Sequence, residues 1–276
     1  MNIVTIEPPH YLKTVVKKCW YANIQHTEHQ NKSYKILADG APGIVFQHCN
    51  GESSLVNTDG YQFPISFVYG QKDNSPCVNS FQGNPFIFGV DLQPTALKKL
   101  FAINASAITN SIVESEHLFS KEFIDQLLHA PSPQQIAQLF HLQLCKKLLK
   151  SKQDKIIDHS IKLIFEDTKG ANSHDLSTRF HISRRQYQRK FKEHLGVSPE
   201  SYMRIIKFQK SLHLLKTKQY SKLSDIGFSL NYADQSHFVR EFKLFSNCTP
   251  KEFLSKIQSI QSFHPQTFET MRIISN

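Results

Sequence analysis

A stripe of basic and amide side chains between residues 184 and 192 has the spacing needed to contact the edges of DNA bases. Its members are Arg184, Arg185, Gln188, Arg189 and Lys192. Tyr187 and Phe191 stand four residues apart in the same segment, so in a helix they share one face and leave the stripe on the other. Arg and Gln carry forked groups that match guanine and adenine edges in the major groove. The segment therefore predicts a helix with a buried aromatic side and an exposed base-reading side.

A second stripe of the same kind follows further along the chain. It consists of Gln235, Ser236, His237, Arg240 and Lys243. One constant offset aligns the two segments, pairing Tyr187 with Phe238, Arg189 with Arg240 and Phe191 with Phe242. For any single one of these residues, a solvated helix face is the alternative interpretation. The repeat, the packing pattern and the charge together favour binding.

Each stripe requires a preceding helix and a tight turn to hold it in place. Before the first stripe, Leu176 and Phe180 have the spacing of a short helix, and Ser183 is a favourable N-cap for the next one. Before the second stripe the apolar spacing repeats, and Asn231 falls at the turn, where Asn tolerates a positive φ. Both segments therefore predict a helix, a tight turn and a second helix that crosses the first.

One longer helix is predicted between the two units. Ser198 would cap it and Pro199 would start it. Its apolar stripe consists of Tyr202, Ile205, Ile206, Leu212 and Leu215. A helix of this length spans roughly 25 Å. It could hold two recognition helices about one DNA turn apart, ~34 Å, so that both enter successive major grooves.

The spacing of apolar residues predicts helices throughout the second half of the chain. They cover about 155–167, 174–180, 184–194, 199–216, 222–229, 234–245 and 250–258. Upstream, helices are predicted from Pro94 to Phe101, over 116–129, and over 133–150 with Ser132 as cap. The apolar stripe of the last helix is compatible with a dimer seam or with packing on the N-terminal half. The polar stretch 150–155 is the expected linker, and residues 261–276 carry no assignable pattern.

The first ninety residues have the pattern of short strands. Apolar runs such as Ile65–Tyr69 and Phe86–Val90 alternate with turn dipeptides. The dipeptides are Asp39-Gly40, Asn50-Gly51, Asp59-Gly60 and Gly83-Asn84. Such spacing predicts a small barrel or sandwich. The aromatic residues Trp20, Tyr21, Phe46, Phe63, Phe67, Phe86 and Phe88 are candidates to line an effector pocket, although a strand core is the favoured interpretation for most of them.

Positive charge is concentrated in the second half of the chain. The 276 residues carry a net charge of +10. Residues 1–150 contain 12 Lys/Arg against 11 Asp/Glu, whereas residues 151–276 contain 21 against 12. This asymmetry favours a polyanionic partner, of which nucleic acid is the usual one. A solvated basic surface is the alternative that charge alone leaves open.

Cysteine and histidine positions argue against a metal centre. The five cysteines, at positions 19, 49, 77, 145 and 248, form no Cys-x-x-Cys motif. We therefore expect reduced thiols and neither a disulfide framework nor a zinc finger. The group His26, His29, His48 and Cys49 fits no standard ligand spacing, so no metal and no cofactor are expected.

Other functional classes lack their sequence signals. No nucleotide-binding or hydrolase motif occurs, and we expect no enzymatic activity. The N-terminus has no long apolar segment of a secretory signal, and no apolar run is long enough to span a membrane. We therefore expect a cytoplasmic protein without membrane contact.

At the two stripes, the chain resembles the AraC/XylS family of bacterial transcription regulators. The first matching segment is 183–199, and the second, more specific one is 225–243, followed by Thr249-Pro250. Together they cover about 155–258, close to the whole family domain. Two units in this order and spacing, each followed by Pro, make the resemblance specific.

The chain departs from the family pattern at both turns. His181 stands where the family often has Gly, and Asn231-Tyr232 replaces its usual Gly-Phe. The resemblance implies that the matching polar positions face bases or nearby phosphates. These positions are Arg185, Gln188, Arg189, Gln235, Ser236, His237 and Arg240. The N-terminal half resembles, more weakly, the domain that senses a signal or dimerises in some of these regulators.

The sequence therefore predicts an α+β protein of two domains. Residues 1–150 form a β-rich, barrel- or sandwich-like sensing or dimerisation domain with helices, residues 151–260 form an all-α domain with two helix-turn-helix units, and 261–276 are a tail. The expected function is sequence-specific DNA binding in transcription regulation, under control of a small molecule or a partner. Double-stranded DNA is the expected partner, with RNA polymerase and a second copy of the chain as further candidates. A DNA-docking enzyme and a ligand-independent DNA binder are the alternatives.

Overall fold

In the computed structural model, an N-terminal half rich in β-strands precedes a helical C-terminal half. The structure describes residues 2–24, 33–151, 154–167, 170–261 and 273–275. Its strands are β1 Asn2–Ile6, β2 Val16–Asn23, β3 Ser33–Ile36, β4 Gly43–His48, β5 Leu55–Asn57, β6 Ser66–Tyr69, β7 Cys77–Phe81, β8 Phe86–Leu92, β9 Ile112–Glu114 and β10 Ile273–Ser275. Its helices are α1 Ala96–Phe101, α2 Lys121–Leu128, α3 Pro133–Leu149, α4 Lys155–Glu166, α5 Ser173–Arg179, α6 Arg184–Leu195, α7 Pro199–Thr217, α8 Leu223–Ser229, α9 Gln235–Ser246 and α10 Pro250–Gln261.

The strands form two antiparallel sheets. The larger has the order β1-β2-β8-β4-β6-β9, and the smaller has the order β10-β3-β7-β5. The turn glycines predicted from the dipeptides, Gly40, Gly51, Gly60 and Gly83, all adopt a positive φ. Each of these turns lies between two consecutive strands of different sheets, so the turns carry the chain from one sheet to the other. The predicted β-rich N-terminal architecture is confirmed.

One face of the larger sheet is covered by helices. The other face, called the hollow side below, borders an open space between the two sheets. Phe46 and Phe88 point to one side, where they pack with α1, α2 and α3 in a continuous apolar core. Their neighbours Val45 and Ile87 point to the other side, towards the smaller sheet, because side chains alternate along a strand. The predicted aromatic set therefore divides: Trp20, Phe63 and Phe67 face the hollow side, and the others do not.

Helix α3 packs on the β-rich half, which decides between the two interpretations of its apolar stripe. Ile136, Phe140 and Leu144 are buried in the first core. Leu142 and Leu149 remain exposed on the other side of the helix. The stripe is therefore explained by packing within the chain.

The C-terminal half has one apolar core for each predicted unit, and α7 contributes to both. Tyr202 and Ile206 join the core of α5 and α6, whereas Phe208 and Leu212 join the core of α8, α9 and α10. The predicted N-caps Ser183 and Ser198 are confirmed, since their hydroxyls accept the backbone N–H of Gln186 and Ser201. In contrast, the helix predicted over 116–129 is divided into a short 3₁₀ turn and α2.

The two halves are joined by polar bonds and by a shared apolar contact. Lys99 on α1 forms an ion pair with Asp158 on α4, with 2.8 Å between Nζ and Oδ2. Leu37 and Ala38, which follow β3, are buried in the core of the second unit. In the tail, β10 pairs antiparallel with β3, so the end of the chain returns to the N-terminal half. Among the described helices, none is long and apolar enough to cross a membrane.

Candidate nucleic-acid interface

The first predicted unit is a short helix, a tight turn and a second helix. Helices α5 and α6 pack through Leu176, Tyr187 and Phe191, and the last two side chains are fully buried. The turn between the helices places His181 at φ +52°. This left-handed conformation is the one for which Gly is favoured, and it costs other residues roughly 1–2 kcal/mol. His181, which stands where Gly would be favoured, therefore preserves the turn but at an energetic cost.

The second unit repeats this geometry in α8 and α9. Ile226, Phe238 and Phe242 form its buried contact. Asn231 occupies the turn at φ +56°, as the sequence predicted. The side chain of Asp234 caps α9 by accepting the backbone N–H of His237 at 2.7 Å. The same backbone path is thus built from different turn residues in the two units.

Both predicted stripes lie on the solvent side of their helices. On α6, Arg184, Arg185, Arg189 and Lys192 are exposed and Gln188 is half-buried. On α9, Gln235, Ser236, Arg240 and Lys243 are exposed and His237 is half-buried. The aromatic residues opposite the stripes are buried, as the helical period required. Each unit therefore presents a polar helix face with exposed Arg and Lys side chains.

Within the first stripe, two side chains are positioned by a carboxylate at the start of α7. The amide of Gln188 donates to Glu200 Oε1 at 3.3 Å, and the guanidinium of Arg184 lies 3.6 Å from the same oxygen. Arg184 also donates to the hydroxyl of Ser173 at 3.1 Å. Burial disfavours the charge of Glu200, but hydrogen bonds from Ser173, its own backbone, Gln188 and Ser198 outweigh burial and lower its pKa. A carboxylate therefore orients the first turn of α6.

His237 differs from the rest of the second stripe because its ring is held by its own unit. Its Nδ1 accepts the backbone N–H of Ala233 at 3.4 Å. Its ring also packs edge-on against Tyr232, with 5.4 Å between ring centroids. The side chain is therefore oriented before any partner arrives.

One ion pair that fixes α9 was not predicted from the sequence. Arg204 on α7 donates to both carboxylate oxygens of Glu241 on α9, at 2.7 and 3.0 Å. This bond raises the pKa of Arg204. The guanidinium also lies over the ring of Phe245. The two partners are far apart in sequence, and no local pattern connects them, so only the fold reveals the pair.

A second unpredicted cluster fixes α6. Asp154 caps α4, and its Oδ2 also accepts a hydrogen bond from Lys190 on α6. His194 Nε2 lies 3.8 Å from the same oxygen. Burial disfavours the charge of Asp154, but the bond and charge of Lys190 outweigh it and lower the pKa of Asp154. Lys190 thus anchors the helix on the side away from the stripe.

Metal candidates find no support in the described part of the chain. His26 and His29 lie outside the described residues. Among the residues that are described, no group of three or more His, Cys, Asp or Glu side chains could hold a metal ion.

The comparison with known proteins matches both halves of the chain separately. Residues 176–256 match a family model described as a helix-turn-helix domain, and residues 4–114 match a domain of unknown function. The HTH-type transcriptional regulator MtrA of Neisseria gonorrhoeae is 29% identical over 107 residues, which are 38% of this chain and 35% of that protein. The HTH-type transcriptional activator RhaS of Escherichia fergusonii is 32% identical over 77 residues, 28% of this chain and 27% of that protein.

These matches extend over only part of each relative. The chain spans about a third of the length of MtrA and about a quarter of that of RhaS. A solved structure of ToxT from Vibrio cholerae aligns with 92% of this chain and 98% of its own, with 15% sequence identity and a TM-score of 0.48.

The repeated units and their family match define the class of the C-terminal half, which is a double helix-turn-helix DNA-binding domain. Residues 176–256 thus carry a helix-turn-helix domain of the AraC/XylS type, similar to matching segments of the regulators MtrA and RhaS.

Proposed function

We propose that this chain is a sequence-specific DNA-binding regulator of transcription. Two recognition helices, α6 and α9, enter the major groove, and the N-terminal half controls them in response to a small molecule. The observation that carries the proposal is the pair of aligned, exposed cationic faces on the second helices of two helix-turn-helix units. In this proposal residues 1–150 sense the signal, residues 151–260 bind DNA, and the protein acts in the cytoplasm.

The residues of the two stripes fall into groups by their position on the helix and by their contacts. Arg185 in the first turn of α6, and Arg189 and Arg240 near the middle of their helices, are exposed, which suits direct contact with base edges. Gln188 and Arg184, oriented by Glu200, would enter the groove with little loss of conformational entropy. Lys192 and Lys243 stand towards the ends of the helices and would neutralise phosphates. Gln235, Ser236 and His237 form the first turn of α9, the part of a recognition helix that contacts bases.

A cavity in the N-terminal half supports control by a small molecule. It lies between the two sheets and measures about 350 Å³. Leu37, Asp39 and Ala41 form part of its wall, and Asn110–Ile112 form another part. Ligand sites of this size are typical of small organic molecules.

Both wall segments continue directly into contacts with the DNA-binding half. Leu37 lines the cavity and also packs in the core of the second unit, and the amide of Gln209 on α7 donates to the carbonyl oxygen of Ala38. Next to the other segment, the hydroxyl of Thr109 donates to the carbonyl oxygen of Gly196, 2.8 Å away, at the end of α6. A ligand that shifts these walls would therefore change the support of α6 and α7.

The alternative of a DNA-docking enzyme finds less support. Such an enzyme would need an activated nucleophile, and a reactive cysteine has a low pKa. Burial, with the nearby charges of Asp91 and Glu7, instead raises the pKa of the Cys19 thiol to about 12. RNA polymerase and a second copy of the chain remain proposed partners.

The proposal is tested by binding of the purified chain to the DNA upstream of its own gene, with excess nonspecific competitor and over a salt series. We expect a protected site that survives competitor, with affinity that falls steeply as salt rises. Binding that is equal for promoter and scrambled DNA at every salt concentration would contradict a sequence-specific regulator.

A further inference from the structure

The walls of the cavity between the two sheets are rich in aromatic side chains. Its aromatic residues include Trp20, Tyr34, Phe63, Phe67, Tyr69 and Phe81. Two pairs are stacked: Tyr34 with Phe81 at 4.6 Å between ring centroids, and Phe63 with Phe67 at 5.1 Å. Flat ring faces of this kind favour a planar apolar occupant, by area burial and by offset stacking.

Trp20 presents its ring, and not its polar group, to the cavity. Its indole N–H donates to Asp91 Oδ1 at 2.9 Å. The ring lies on Gly89 of the neighbouring strand, where a Cβ atom would come within 2.2 Å of the indole. Gly89 is therefore required for the ring to lie flat against the sheet.

One buried polar atom of the wall has no partner among the described residues. Asn79 is 3% exposed, and its Nδ2 donates to the hydroxyl of Tyr34 at 3.5 Å. Its Oδ1 accepts no hydrogen bond from any described residue. An unsatisfied buried acceptor costs about 1–3 kcal/mol. A ligand that donates an O–H or N–H to this oxygen would recover that free energy.

Charge in the wall is restricted to two residues with opposite signs. Among the described lining residues, Asp39 is the one acidic and Lys72 the one basic side chain. The ammonium of Lys72 donates to Asn74 Oδ1 at 2.9 Å, in an exposed position. Asp39 Oδ1 accepts the backbone N–H of Ala41. The aromatic rings themselves provide no counter-charge, so burying an ionised ligand among them, away from Asp39 and Lys72, would be costly.

We propose that the cavity binds an uncharged, planar aromatic molecule with one O–H or N–H group, and that this group donates to Asn79 Oδ1. The inference rests on the proposed control of this regulator by a small molecule and names the chemical class of that molecule.

Three matched probes test this class by isothermal titration calorimetry on the full chain: 4-ethylphenol, ethylbenzene and 4-ethylbenzoate. We expect 4-ethylphenol to bind about tenfold more tightly than ethylbenzene, because only the phenol satisfies Asn79. The benzoate should bind most weakly. Trp20 is the only tryptophan of the chain, so a change in its fluorescence reports binding in the cavity. Preference for the benzoate, or no binding of any probe up to its solubility limit, would overturn the proposal.

Two variants locate the hydrogen bond. Asn79→Leu should remove the preference for the phenol and retain binding of ethylbenzene. Gln126→Leu, on the exposed side of α2, should keep the wild-type preference. An unchanged preference in Asn79→Leu would contradict the assigned acceptor. If Asn79→Leu does not fold, the wild-type probe series decides the class alone. DNA binding is measured on the same preparations. A protein that discriminates between the probes but does not bind its promoter would contradict only the proposed regulator function. A protein that binds its promoter but shows no preference for the phenol would contradict only the proposed ligand class.

Discussion

The two helix-turn-helix units share their internal packing but differ in what supports them. Helix α6 contacts α1 and the 3₁₀ turn Ala105–Ile108 of the N-terminal half, and its end is bonded to Thr109. Helix α9 is held instead by α7, through Arg204 and Glu241. The recognition helix of the first unit is thus bonded directly to the half that contains the cavity. The second unit receives Leu37 and Ala38 of that half in its core, but its recognition helix is fixed by α7. In the proposed control by a small molecule, a shift of the cavity walls would therefore reach α6 directly and α9 through the core around Leu37 and through α7.

Truncating the aromatic core tests whether the two units are equally buried. Phe191→Ala and Phe242→Ala should each lower the free energy of unfolding by about 3–5 kcal/mol, since both side chains are essentially unexposed. Chemical denaturation measures the loss. Phe228→Ala is the matched control, because Phe228 is 67% exposed and should change stability by less than about 0.5 kcal/mol. A small effect in only one core variant would show that the two cores are not equivalent.

Neutralising Asp154 tests the anchor of the first unit. Asn retains the helix cap, so Asp154→Asn removes mainly the charge-assisted bond to Lys190, at a cost of about 1–2 kcal/mol at neutral pH. Because the pKa of Asp154 is lowered in the folded protein, its stabilisation is complete above the ordinary carboxyl pKa and is lost as pH falls through the folded value.

The variant should therefore show a shallower loss of stability in acid than the wild type, in denaturation curves recorded over a pH series. Parallel acid limbs in the two proteins would contradict the assigned role of the carboxylate.

Breaking the Arg204–Glu241 pair tests the anchor of the second unit. Glu241→Gln should cost about 1 kcal/mol, because the pair is bidentate but partly exposed. Its effect on DNA should be confined to the half-site read by α9, as seen by footprinting. Arg204→Lys keeps the positive charge but cannot form the bidentate hydrogen bond, so it should reproduce most of the effect of Glu241→Gln. An equal loss of protection at both half-sites would argue against separate support of the two helices.

Exchanging the turn residues gives the smallest expected effect. His181→Asn should raise the free energy of unfolding by about 0.5 kcal/mol, because Asn adopts a positive φ more readily than His. The reciprocal Asn231→His should lower it by a similar amount. Thermal unfolding of both variants and of the wild type measures the two changes in stability. Changes of the same sign would refute the explanation by backbone strain.

Local sequence signals predicted more of the DNA-binding half than of the N-terminal half. Caps such as Ser183 and Ser198, and aromatic pairs such as Tyr187 and Phe191, act within a few residues, so helix limits and buried faces followed from the sequence. The ion pair of Arg204 with Glu241 depends on tertiary packing and could not be read from spacing. The same holds for the cavity, because which aromatic residues of adjacent strands face it depends on how the two sheets oppose each other.

The most direct test of the central claim is a footprint of the bound promoter site with Arg189→Ala and Arg240→Ala beside the wild type. Lys121→Ala, which removes one exposed charge from the N-terminal half, is the matched control. Two-helix reading predicts that Arg189→Ala weakens protection of one half-site, that Arg240→Ala weakens protection of the other about one DNA turn away, and that the control protects both. Equal protection by all four folded proteins would contradict base reading by α6 and α9.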